Sequence, residues 1–133
     1  MRGLVTTGPA VDTEEIRAPA NITVVAAAPH HQVMQRASLV VTHGGHGTVI
    51  KALAAGLPLV ILPHGRDQSG NAIRVTLRGA GITVPRGAAA PRIAKAIAKV
   101  LETDSYRKAS VRLGGAIASD AANGALLLDE VEW

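Results

Sequence analysis

Five short apolar runs, rich in β-branched residues and lacking polar alternation, recur along the chain with helix-like segments between them. They are "GLVTTG" (Gly3 to Gly8), "ITVVAAA" (Ile22 to Ala28), "SLVVTH" (Ser38 to His43), "LVILP" (Leu59 to Pro63) and "ITVP" (Ile82 to Pro85). Runs without alternation suit parallel strands covered on both faces. The intervening segments carry helix punctuation. "GTVIKALAAG" stops at Gly56 with Pro58 just beyond, and "DQSGNAIRVTLRGAG" opens at Asp67 as an N-cap and closes on Gly79 and Gly81. "APRIAKAIAKVLE" has Pro91 near its first turn and sets Ile93, Ile97, Val100 and Leu101 on one face. Asp104 and Asp120 read as N-caps of two further helices. This alternation predicts an α/β fold: a Rossmann-like, doubly wound parallel sheet with right-handed crossovers.

At 133 residues the chain forms a single domain, and 47% hydrophobic content supplies a core. The core is aliphatic, because Phe is absent. No Cys is present, so disulfides and thiolate metal sites are excluded. No apolar run approaches the ~18 residues of a membrane span, and a cytoplasmic location is expected. The net charge of +4 comes mainly from Arg residues spread from Arg2 to Arg112. Nucleic acid is not the expected partner, since single-strand grooves want aromatic platforms and only 2% of the residues are aromatic.

Ligands of such sheets sit beyond the carboxyl ends of the strands, where two stretches stand out. "VTHGGHGT" (Val41 to Thr48) turns from a strand into a helix through Gly44, Gly45 and Gly47. Such a turn lets the backbone approach an anion, with helix N–H groups, His43 and the Thr48 hydroxyl at one mouth. A tight turn that merely packs closely is the alternative. "LPHGRDQSGNA" (Leu62 to Ala72) carries Asp67, Gln68 and Asn71 at the next strand end. Carboxylate and amide groups there suit neighbouring hydroxyls, as on a sugar; helix capping by Asp67 is the alternative.

The stretch "APHHQVMQRASLVVTHGGHGTVIKALAAGLPLVILPHGRDQSGNAIRVTLRGAGITV" resembles the donor-binding signature of family 1 glycosyltransferases of the GT-B fold, the macrolide and natural-product enzymes and their UDP-glycosyltransferase relatives. A proline loop, H-x-G-x-G-[ST], G-x-P-x-x-x-x-P and D-Q-x-x-N-A follow in order. The resemblance covers the C-terminal half of that fold, from about Leu4 to Glu130. It implies that His43, Gly45, Gly47 and Thr48 hold the donor's diphosphate and that Asp67 and Gln68, with Asn71 as a further candidate, bind the sugar. The Ala28–Pro29 turn would meet the nucleobase. The implied function is donor binding in an inverting transferase that moves a hexose from a UDP- or dTDP-sugar to a small-molecule acceptor, with no cofactor and no metal.

Three departures accompany the resemblance. Lys51 stands where many relatives keep a ribose-binding Glu, and Ala27 where they often keep a base-stacking aromatic. The family's first strand and helix, and its acceptor-binding N-terminal half with the general base, have no counterpart. The chain is thus expected to be a partial donor domain over residues 1–133, with no catalytic residue of its own, inactive alone and partnered in cis or trans by an acceptor-binding domain. A non-catalytic nucleotide-sugar module or the donor subunit of a two-chain transferase is the alternative. The missing central strand leaves two options: the Gly3–Gly8 run closes against Ser38–His43 in a five-stranded sheet, or a segment from elsewhere fills the gap.

Rival chemistries are less well supported. The five His fall between His30 and His64, but neither Cys nor a placed carboxylate completes a metal set. Ser38, Ser69 and Ser105 lie in no G-x-S-x-G elbow. His46 and His64 read as polar loop residues.

Overall fold

Every apolar run becomes a strand, each shorter than its run. The computed structural model describes residues 1–122. The strands are β1 (Gly3–Thr6), β2 (Ile22–Val25), β3 (Val40–Thr42), β4 (Leu59–Ile61) and β5 (Gly81–Thr83). The helices are α1 (His30–Arg36), α2 (His46–Ala54), α3 (Arg66–Leu77), α4 (Ala90–Glu102) and α5 (Asp104–Ala122). A short 3₁₀ turn, Thr13–Glu15, is capped by Asp12, whose carboxylate accepts the Glu14 N–H at 3.0 Å. No described helix is long and apolar enough to cross a membrane.

The chain divides into two compact units, residues 1–33 and the chain from Met34 onward. In the first, β1 and β2 pair in parallel from Gly3↔Ile22 to Thr6↔Val25. Bonds from the Thr7 N–H to Val25 O (3.0 Å) and the Gly8 N–H to Ala26 O (2.9 Å) extend the pairing. In the second, β3, β4 and β5 form a parallel sheet with β4 in the centre. Among the described residues the pairings make a sheet of two strands and a sheet of three.

The second unit is wound on both faces of its sheet, and β4 shows why. Successive strand residues point to opposite faces. Leu59 and Ile61 enter a core with Val49, Ala52 and Leu53 of α2, Ala72 and Val75 of α3, and Ala109 of α5. Val60, between them, enters a second core with Val84 and with Ala96 and Val100 of α4. Each Val, Leu or Ile among them contributes roughly 1.5–3 kcal/mol on full burial.

The expected stop signals operate as capping motifs. Gly56 (φ +73°) follows α2 and sends its N–H to Leu53 O at 2.9 Å, while the next N–H, of Leu57, reaches Ala52 O at 2.9 Å. Gly79 (φ +73°) repeats this after α3, bonding Thr76 O, with Ala80 bonding Val75 O. Four local expectations are corrected. Gly81 belongs to β5 and not to the end of α3. Leu101 is exposed, and Ala96 completes the buried face of α4. Asp120 lies inside α5, a single helix, and opens no other. Gly65, not Asp67, is the N-cap of α3. α5 crosses α2 so closely that a methyl group on Gly114 would overlap the Leu53 carbonyl.

Candidate functional site

The β3–α2 turn is specified almost atom by atom. Gly44 has φ +96°, the left-handed region that favours glycine, and a Cβ there would stand 2.9 Å from Ile61 Cγ2 and 3.2 Å from the Gln68 carbonyl oxygen. Its N–H donates to Thr42 Oγ1 at 3.2 Å. Its carbonyl accepts from Asn71 Nδ2 at 2.9 Å, and Asn71 is only 4% exposed. A buried amide on α3 therefore staples the turn that precedes α2. Such a bond contributes about 1 kcal/mol net and costs more than that to leave half made.

Beyond the staple, the turn opens toward solvent. Gly45 is the N-cap of α2, and no side chain caps the helix there. Its first-turn N–H groups therefore take no bond from a capping side chain and suit an anion. The Gly45 N–H donates to His43 Nδ1 at 3.3 Å, so the neutral ring carries its proton on Nε2. Gly47 is exposed, its φ is not positive, and a Cβ on it would meet nothing within 4 Å. Glycine in a helix costs up to ~1 kcal/mol relative to alanine, and neither backbone strain nor packing among the described residues requires it here. Thr48 follows in the same first turn, partly buried.

The β4–α3 turn lies alongside. The Leu62 N–H bonds to Thr42 O at 2.9 Å, carrying the parallel pairing one residue past β4. The rings of His43 and His64 then stand 6.1 Å apart, tilted by 49°. Gly65 caps α3 in extended geometry with no side-chain cap bond, so α3 offers a second N-terminus of this kind. Asp67 sits in the first turn, exposed, with no hydrogen bond or ion pair among the described residues. Capping therefore does not explain it. Gln68 is partly committed: its Oε1 accepts the His64 N–H at 2.8 Å, closing the turn and leaving the amide N–H₂ for other acceptors.

The Ala28–Pro29 turn belongs to the first unit. It follows β2 and opens α1, with Pro29 O accepting the Val33 N–H at 3.1 Å; Ala28 is half-buried and Pro29 exposed. Lys51 and Ala27 are both exposed. Among the described residues no group of three or more His, Asp or Glu is placed to hold a metal ion. An open groove of about 570 Å³ runs along the edge strand β5, bordered by Arg78, Tyr106, Lys108 and Arg112. Its residues belong to none of the motifs. Sequence reasoning left two things unseen: the partner of Asn71, and the approach of His64 to His43. Both turns follow paired strand ends, spanning three residues after β3 and four after β4, and that was the available signal.

Comparison with known proteins identifies the family and the fold. Residues 4–126 match the family described as Erythromycin biosynthesis protein CIII-like, C-terminal domain. The chain is 35% identical over 109 residues to 4'-demethylrebeccamycin synthase of Lentzea aerocolonigenes, covering 81% of this chain and 25% of that protein. It is 33% identical over 112 residues to TDP-daunosamine transferase DnrS of Streptomyces peucetius, covering 82% and 26% respectively. The structure of spinosyn rhamnosyltransferase SpnG complexed with thymidine diphosphate superposes with a TM-score of 0.82 at 25% identity, over 89% of this chain and 33% of that one. The chain thus spans about a quarter of the length of these curated relatives. Matched over almost all of its length, it belongs to the erythromycin biosynthesis protein CIII-like C-terminal domain family, the C-terminal domain of family 1 glycosyltransferases of the GT-B fold.

Proposed function

We propose that this chain binds a nucleoside-diphospho-sugar, UDP- or dTDP-linked, as the donor half of an inverting glycosyltransferase that moves a hexose to a small-molecule acceptor. Two adjacent helix N-termini without side-chain caps, one beside His43 and the other bearing the exposed carboxylate of Asp67, carry the proposal. The diphosphate takes the N–H groups around Gly45, Gly47 and Thr48 together with His43. The hexose hydroxyls take Asp67 and the amide N–H₂ of Gln68. Asn71 acts one step back, holding Gly44. The nucleobase meets the Ala28–Pro29 turn, and Lys51 supplies a cation where a carboxylate would have accepted ribose hydroxyls.

In the transfer, the acceptor oxygen attacks the anomeric carbon opposite the diphosphate, and the bond from that carbon to the diphosphate oxygen breaks. The acceptor proton passes to a base on an acceptor-binding domain, in cis or in trans. This domain contributes preorganised donors where negative charge develops on the leaving group. The relatives support the donor class in their own names: one is a TDP-daunosamine transferase, and another is a rhamnosyltransferase complexed with thymidine diphosphate.

Calorimetric titration of the 133-residue chain tests this reading. His43→Ala should weaken UDP or dTDP, with or without a sugar, by about tenfold or more, the loss of one charge-assisted hydrogen bond. Asp67→Asn should weaken the nucleotide sugar and leave the free nucleoside diphosphate unchanged. Unaltered affinity in His43→Ala would remove the diphosphate site, and equal losses of both ligands in Asp67→Asn would remove the sugar assignment.

A further inference from the structure

His64 belongs to none of the motifs that define the donor signature, yet the fold brings it to the diphosphate turn. β3 and β4 are parallel neighbours paired Thr42↔Ile61, and the Leu62 N–H to Thr42 O bond of 2.9 Å keeps the chains together past the strand ends. One chain turns at once into His43; the other passes Pro63 and reaches His64. Their rings end 6.1 Å apart, and both residues are exposed.

The two imidazoles are held by different devices. The ring of His43 is engaged through Nδ1, which accepts the Gly45 N–H at 3.3 Å. The main chain of His64 is engaged through its N–H, which donates to Gln68 Oε1 at 2.8 Å, so the loop is fixed through the backbone and not through the ring. Two imidazoles side by side offer N–H donors that suit a polyanion. The neighbouring helix N-termini favour the same kind of guest.

We infer that His64 is a second diphosphate-binding imidazole, meeting the donor beside His43. The inference rests on the donor reading of the His43 turn. A neutral imidazole offers one N–H donor and a protonated one offers two, so a bound diphosphate draws protons onto the pair. Binding is therefore coupled to proton uptake. Other charged or titratable groups on the adjoining elements are His46 and Lys51 of α2 and Arg66 and Asp67 of α3. They are common to every variant compared below.

The experiment is calorimetric titration of the full chain with UDP and with dTDP between about pH 6 and 8, for the wild type, H43A, H64A and H64R. At the acidic end H64A should bind about tenfold more weakly than the wild type, with a shallower dependence on pH. H64R should recover the affinity, because a guanidinium also donates to phosphate oxygens, and it should keep the shallow pH profile. Thermal midpoints should stay together, since the bond that His64 makes to Gln68 uses its backbone. If H64A retains wild-type affinity and pH profile while H43A loses binding, His64 is no ligand and the donor reading stands. Equal losses in H64A and H64R reduce the ring to a packing role and overturn the inference. Failure of the wild type to bind either nucleotide overturns the donor reading, and this inference with it.

Discussion

β1 and β4 are written in nearly the same alphabet, "GLVT" and "LVI", and both pair in parallel. Their surroundings differ. All three residues of β4 are buried, whereas β1 leaves Leu4 42% and Val5 43% exposed. β4 has a strand on each side and helices over both faces; β1 has one described strand neighbour, β2. Parallel pairing alone positions backbone, and stabilisation follows from what covers the side chains. Of the two sheets, the second has the buried core, and both glycine turns spring from it.

That contrast can be broken by mutation, most forcefully at the centre of the second unit. Leu53→Ala removes a fully buried side chain and should cost roughly 2–5 kcal/mol, read from the urea midpoint at constant slope. A smaller effect is expected at the staple. Asn71→Ala leaves the Gly44 carbonyl without its partner and should cost about 1–3 kcal/mol. It should also weaken nucleoside diphosphate binding, because the turn loses its anchor to α3. Stability loss with unchanged affinity would show that the turn holds its shape without the staple. The smallest effect belongs to β1: Leu4→Ala should shift stability by less than about 1 kcal/mol, since the side chain is already half in water. A cost equal to that of Leu53→Ala would mean that the first unit carries as much core as the second, and the comparison would fail.

Some of this was legible in advance and some was not. Gly56 and Gly79 announced the ends of α2 and α3, and Pro91 the start of α4, because capping and propensity act within a turn of the residue concerned. Asp67 was misread as a cap for a related reason. An N-cap is defined by where the chain leaves extended geometry, and Gly65 makes that change two residues earlier. Leu101 satisfied the helical period of α4, but the strip that meets β4 runs through Ala96 and Val100, so the packing partner chose among the apolar positions.

By itself the sequence determined the parallel α/β class, the strand and helix order, and the positions of the two glycine-bearing turns, since these depend on periodicity and punctuation read over a few residues. Only the tertiary structure decided that the five strands make two sheets, that Asn71 reaches the Gly44 carbonyl 27 residues away, and that His64 faces His43. Strand register places residues that are distant in sequence side by side, and a hydrogen bond or an imidazole pair exists only once that register is set.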